Sequence, residues 1–189
     1  MSRIVLASQS PRRKQLLEWA EIDFEVIVKE TDEWYPSHLA VEEVPVHIAR
    51  NKALAVQQSL PEDSIIIAAD TIVVLGDRII GKPQHADDAL QILSALSGRM
   101  HVVITGVIIL KGKKETAFAD VTEVFFHEMS QEQITYYVNK YRPYDKAGAY
   151  AIQEWIGVTG IQSIRGDFYN VMGLPVSRVV QALNVINKT

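Results

Sequence analysis

Short apolar runs alternate with amphipathic stretches along the chain. Residues 4–7 are an apolar run that predicts a buried strand, residues 8–11 break it, and 14–20 predict a helix with Leu16, Leu17 and Ala20 on one side. Residues 24–28 alternate apolar and polar, the mark of a second strand, and 30–39, with Pro36 and Ser37, read as loop. Helical periodicity returns over 44–59, where Val41, Val44, Ile48 and Ala55 fall near one face. Lys52 lies four residues after Ile48, on that same face, and a lysine on an inward stripe needs a reason. Residues 64–69 predict a strongly apolar strand ending at Asp70, with 71–75 continuing as strand and Gly76-Asp77 turning into 78–80 as a hairpin. Residues 86–96 predict a helix with Leu90, Leu93 and Leu96 inward, Asp87 and Asp88 in the first turn where the dipole favours them, and Gly98 as its stop.

The longest strand-like run is 102–110; 111–114 turns it and 116–126 returns. Ser130 and Gln133 make a capping box for a helix whose inward stripe is Ile134, Tyr137, Val138 and Tyr141. Residues 149–152 and 158–164 predict strands, with a polar, Gly-rich loop between them. Pro175 suits a first helical position, and Val176, Val179, Val180, Leu183 and Ile186 stripe the last helix. Interspersed helices, strands and hairpins predict an α/β fold, a mixed sheet flanked by helices. The 189 residues suit one domain, expected to run 1–189, or one domain with a small lobe.

Composition narrows this further. With 48% hydrophobic and 22% charged residues the chain is globular rather than disordered, and the absence of cysteine excludes disulfides and thiolate zinc sites. Residues 1–7 lack the apolar stretch of a signal peptide, and no apolar run approaches the roughly 20 residues needed to span a bilayer. The expectation is a cytoplasmic protein with no membrane partner. A net charge of −4 and the lack of a basic stripe argue against nucleic acid. Any phosphate site must be a local cationic cluster in an acidic background.

Several residues suit such a site. Ser8-Gln9-Ser10-Pro11-Arg12-Arg13 joins a strand to a helix, where amides, hydroxyls and the helix dipole attract anions and two arginines can grip phosphate oxygens; it also suits a Ser N-cap beside two solvated arginines. Asp70, at the end of a buried strand, suits a Mg²⁺ ligand, a general base toward water, or a turn residue. Lys52 and Lys82, the latter in Gly81-Lys82-Pro83, can carry positive charge to a polyphosphate; snorkelling and a surface loop are the plain alternatives. Glu33, in an acidic loop, can donate to a metal or be solvated. Gln153, closing the segment 146–153, carries both a donor and an acceptor and can read a base edge. The segment 166–175 combines glycines that permit close backbone approach with aromatics. The five histidines show no HExxH-type spacing, and no Walker A lysine, GxSxG elbow or strand-following GxGxxG is present.

These stretches, taken in order with Asp32-Glu33, Ala49-Arg50-Asn51-Lys52-Ala53, Ala69-Asp70-Thr71, and Ser97-Gly98 with Thr105-Gly106-Val107, resemble the Maf family, also called septum-formation-inhibitor proteins, across nearly the whole chain. The resemblance implies an elongated α/β fold of the inosine-triphosphatase (Maf/Ham1-like) kind, with a central cleft between two lobes. It implies hydrolysis of nucleoside triphosphates to monophosphate and pyrophosphate by water attack on the α-phosphorus. In that family Asp70 matches the proton acceptor. Ser8, Arg12, Arg13, Lys52 and Lys82 match phosphate-facing residues, and Glu33, with Asp70, the acids for Mg²⁺ or Mn²⁺. Arg12, Thr71 and Gln153 follow the branch acting on dTTP, UTP and modified pyrimidine nucleotides. The sister branch, preferring 7-methyl-GTP, has an aromatic at the first place and acids at the other two. The family name carries a link to cell-division arrest, so a division regulator acting by protein binding is the non-enzymatic alternative. Maf-like proteins are often dimers, which makes a homodimer the oligomeric expectation.

Overall fold

The computed structural model describes residues 3–188; residues 1, 2 and 189, the ends of the expected 1–189 domain, lie outside it. The elements follow the order β1 (Ile4–Leu6), α1 (Pro11–Trp19), β2 (Glu25–Val26), α2 (Glu43–Gln57), β3 (Ile65–Leu75), β4 (Arg78–Ile80), α3 (Ala86–Leu96), β5 (Met100–Lys111), β6 (Lys114–Phe126), α4 (Gln131–Tyr141), a 3-10 turn at Ala147–Ala149, α5 (Trp155–Gly160), β7 (Ile161–Arg165), α6 (Phe168–Met172) and α7 (Val176–Lys188). The seven strands form one mixed sheet in the order β2-β1-β3-β5-β6-β7, with β4 paired to β3. β1 runs parallel to β2 and to β3, in the register Ile4↔Ile65 to Leu6↔Ile67, while β3–β4 and β6–β7 are antiparallel. No helix among the described residues is long and apolar enough to cross a membrane.

The chain divides into two compact units, one within Met1–Asp70, Thr105–Asp120 and Gly173–Thr189, the other Thr71–Ile104 and Val121–Met172. In the first, alternation along three strands builds the core: Val5 and Ala7, Ile66 and Ala68, and Ile108 and Leu110 join Ala49, Ala53 and Val56 of α2. Leu6, Ile65 and Ile67, the intervening positions, are buried as well, which is why these strands read as continuous apolar runs. The close approach of α2 depends on Gly106: a Cβ there would lie 2.2 Å from the Val46 amide nitrogen and 2.3 Å from the Pro45 carbonyl carbon. In the second unit α3 packs on α4 and on the 147–149 turn, and Leu93, Leu96, Ile134, Tyr137 and Val138 are buried.

The α/β class and the element order match the reading of the sequence, with local differences. β3 is a single strand of 11 residues, so Asp70 does not end it. Asp70 lies instead past the stretch that pairs with β1 and before the stretch that pairs with β4, which begins at Val73. The apolar run 149–152 is buried but is not a strand: Gly148 at φ 70° and Ala149 at φ 59° turn the backbone out of the extended region. Residues 155–160 are helical and β7 begins only at Ile161. The expected strand over 24–28 shrinks to Glu25–Val26. On α3 the buried positions are Ala89, Leu93 and Leu96 rather than Leu90, and on α2 Ala53 and Val56 take the place expected of Ala55. Residues 168–172, within the segment of glycines and aromatics, form α6.

Candidate active site

The first unit assembles its polar residues where β1 gives way to α1. The Ala7 amide still donates to Ile67 at 2.8 Å, which carries the strand pairing one residue past β1; Ser8 and Ser10 then lead into a helix that opens on Pro11. Ser8 Oγ accepts from the Ser10 amide at 3.2 Å and from Arg13 Nη1 at 3.1 Å. Arg13 stands three and four residues before Leu16 and Leu17, so the same helical face that buries the leucines buries the arginine. Its Nε donates to the Gly173 carbonyl at 2.7 Å, across 160 residues of sequence. Burial pulls the guanidinium below its ordinary range; the charge of Asp70 opposes this, that of Arg12 adds to it and that of Glu33 opposes it. A guanidinium stays charged through such a shift. Arg13 therefore carries a fixed positive charge that both carboxylates and the half-buried Arg12 feel.

Lys52 explains its place on the inward stripe of α2. Its Nζ donates to Asp70 Oδ1 at 2.7 Å and to Glu33 Oε1 at 2.9 Å. The Lys52 and Asp70 side chains are 19% and 14% exposed, whereas Glu33 is 54% exposed. One end of this ion triplet is thus fixed in the protein and the other is open to solvent. The triplet carries one net negative charge, and Arg13 offsets it.

No group of three or more His, Asp or Glu residues suited to a metal ion occurs among the described residues. Two carboxylates facing one cation are, however, the donor set that Mg²⁺ takes when substrate phosphates and water complete its shell. The residues fit a divalent ion that arrives with a polyphosphate better than a resident structural metal.

The other sequence-selected residues belong to the second unit. Thr71 follows Asp70 on β3 and is half-buried. Lys82 is exposed in the loop after β4, where Gly81 accepts the Gly148 amide at 3.2 Å. Gln153 is exposed at the end of the segment that begins with Lys146. The sequence reading did not single out Glu154 as a functional residue. Its carboxylate accepts from the buried Tyr137 hydroxyl and lies 3.7 Å from the Lys146 ammonium. A lysine next to Ala147-Gly148-Ala149 in a buried segment is the one local signal for this network.

Fold and site together define a mixed α/β protein with a carboxylate–ammonium–guanidinium cluster at a strand-to-helix junction. Its fold is that of a HAM1 protein from Coxiella burnetii, similar at a TM-score of 0.52 and 16% identity over 97% of this chain and 99% of that one. The Maf-like protein family profile matches residues 3–186. The chain is 53% identical to a dTTP/UTP pyrophosphatase of Cytophaga hutchinsonii over 95% of its own length and 82% of that protein's. It is 48% identical to a dTTP/UTP pyrophosphatase of Parabacteroides distasonis over 96% of its own length and 94% of that protein's. The chain belongs to the Maf-like protein family.

Proposed function

We propose that this chain hydrolyses nucleoside triphosphates, dTTP and UTP first and modified pyrimidine nucleotides with them, to the monophosphate and pyrophosphate. The observation that carries the reading is the Lys52 ammonium held between Asp70 and Glu33 beside the buried Arg13. Kinship with relatives named for that activity supports it.

The assigned roles follow from charge. A triphosphate is a dense anion, and charge grows on the leaving pyrophosphate as the reaction proceeds. Lys52, Arg12 and Arg13 supply fixed positive charge against it, and Ser8 a hydroxyl beside the helix start. Water attacks the α-phosphorus: the new oxygen–phosphorus bond forms and the bond to the bridging oxygen breaks. Pyrophosphate leaves with that electron pair, and the water proton passes to the Asp70 carboxylate. Glu33 and Asp70 would hold a divalent cation, Mg²⁺ or Mn²⁺, whose chemistry is to neutralise phosphate charge and polarise the phosphoryl group. A metal-bound carboxylate is a weakened base. A ligand role for Asp70 therefore shows as lost metal affinity in Asp70→Asn, and a base role as lost kcat at saturating metal.

Lys82 is assigned to phosphate, and Arg12, Thr71 and Gln153 to the base, through the family resemblance. The chain 1–189 acting as one catalytic domain, as a cytoplasmic homodimer, belongs to the same proposal and rests on sequence.

The test is a nucleotide panel in Mg²⁺ with products separated by ion exchange. The expected result is equimolar monophosphate and pyrophosphate, with dTTP and UTP fastest. Release of orthophosphate, or 7-methyl-GTP as the best substrate, overturns the reaction or the branch respectively.

A further inference from the structure

The segment 146–154 is irregular and yet tightly held. Gly148 lies so close to β3 that a Cβ would come within 2.9 Å of Val73 Cγ2. The other end is held from α4. Tyr137 is fully buried, and its ring stacks on Tyr141 with centroids 4.9 Å apart. Packing explains the ring but not the hydroxyl. That hydroxyl accepts the Ala151 amide at 3.2 Å and donates to the Glu154 carboxylate. Lys146 approaches the same carboxylate at 3.7 Å while pairing with Asp145 at 2.7 Å. Gln153 is exposed between two residues that one phenol fixes.

We infer that Tyr137 is a positioning residue for base selection: by fixing the Ala151 amide and the Glu154 carboxylate it holds Gln153 at one place, from which its carboxamide meets a pyrimidine base. The inference rests on the proposed base-reading role of Gln153. Thymine and uracil present an N–H donor flanked by carbonyl acceptors, and guanine presents the same donor–acceptor pair set further from the sugar by its fused imidazole ring. A carboxamide can pair with either, so it selects the pyrimidine by where it is held. A glutamine on an untethered loop would shift to meet the purine as well.

The experiment measures kcat and KM for dTTP and for GTP in wild type, Tyr137→Phe, Glu154→Ala and Gln153→Ala, below the melting temperature of each. The Glu154 side chain caps no amide of α5, so its truncation removes the Glu154 end of the tether and leaves the Ala151 bond and the helix start intact. Tyr137→Phe and Glu154→Ala are each expected to lower the dTTP-over-GTP ratio of kcat/KM about tenfold, through KM for dTTP, the size of one well-placed hydrogen bond. A purely structural role would lower Tm or scale both substrates together and leave the ratio unmoved. If Gln153→Ala collapses the ratio while Tyr137→Phe and Glu154→Ala preserve it, the positioning role is wrong and the base-reading role stands. If Gln153→Ala itself preserves the ratio, the base-reading assignment fails and takes this inference with it. Should Tyr137→Phe not fold, Glu154→Ala decides alone.

Discussion

Both units carry a lysine paired with one mostly buried and one half-exposed carboxylate, and they differ in what else holds the buried acid. In the first, Lys52 meets Asp70 at 2.7 Å and Glu33 at 2.9 Å, and Glu33 stands half in water. In the second, Lys146 meets the half-exposed Asp145 at 2.7 Å and the mostly buried Glu154 at 3.7 Å, and a buried tyrosine hydroxyl donates to the other Glu154 oxygen. An exposed ion pair is worth little and exchanges partners readily; a tethered, mostly buried one is costly to break and keeps geometry. The first arrangement suits charges that must be handed to an incoming anion and its cation. The second suits a loop that must not move.

The largest effect expected from this contrast falls on Asp70. Asp70→Asn keeps the shape and leaves Lys52 its contact with Glu33, so the fold should survive. Loss of a proton acceptor lowers kcat about 10²- to 10⁴-fold. Circular dichroism and single-turnover kinetics on the purified variant check both halves, and near-normal turnover would remove Asp70 from the chemistry.

Arg13 comes next, and it separates holding a site from acting in it. Arg13→Ala strips the Gly173 carbonyl and the Ser8 hydroxyl of a buried donor, a loss of about 3 kcal/mol in urea unfolding. Arg13→Lys should restore little of that, because an ammonium cannot span both acceptors as the planar fork does. Full recovery by lysine would mean that charge, not the fork, is what matters there.

Arg13 also shows how far sequence carries. The helix predicted over 14–20 leaves Arg13 outside it, and only the observed start at Pro11 puts Arg13 on the face of Leu16 and Leu17, whereas the inward Lys52 is legible from its spacing to Ile48. Their partners are not legible in either case. Gly173 lies 160 residues from Arg13, and no local pattern states which acids an inward lysine will find. Helices with sharp ends, such as 86–96, read true because the aspartates in the first turn and the glycine after the stop are local devices. The segment 149–152 misleads for the converse reason. Its apolar run signals burial correctly, but the positive φ at Gly148 and Ala149 is a backbone property that apolar patterning does not encode. Asp70 was visible as a polar break in an apolar strand. That the strand runs on through it follows from pairing with β1 on one side and β4 on the other.

Within the second unit His101 offers a smaller, pH-driven test of rigidity. It is fully buried, edge-on to Phe126 and Tyr150, with Nε2 2.8 Å from the Tyr150 hydroxyl. Burial lowers its pKa from 6.5 to about 4. The folded state therefore prefers the neutral ring. This contribution is intact above pH 6.5, declines as pH falls toward 4, and levels off below that, for a total of about 3 kcal/mol. Urea unfolding between pH 7 and 4 should show that decline in wild type and a shallower one in His101→Phe. Equal slopes would mean that the ring is protonated in the folded protein at little cost.

The smallest effect tests whether anchoring and mere stability can be told apart on one helix. α4 carries Tyr137 in its middle and begins with a complete capping box: Ser130 Oγ accepts the Gln133 amide at 3.3 Å, and Gln133 Oε1 accepts the Ser130 amide at 2.8 Å. Ser130→Ala removes one half of that exchange, for about 1 kcal/mol. In a chain of this length that lowers Tm by about 2–4 °C. The Tyr137 hydroxyl lies about two turns further along, within the packed part of the helix, so fraying at the first turn should not reach it. Nucleotide selectivity should then stay as in wild type while Tm drops. A selectivity loss matching that of Tyr137→Phe would show that anything loosening α4 loosens Gln153, and the hydroxyl would lose its special claim.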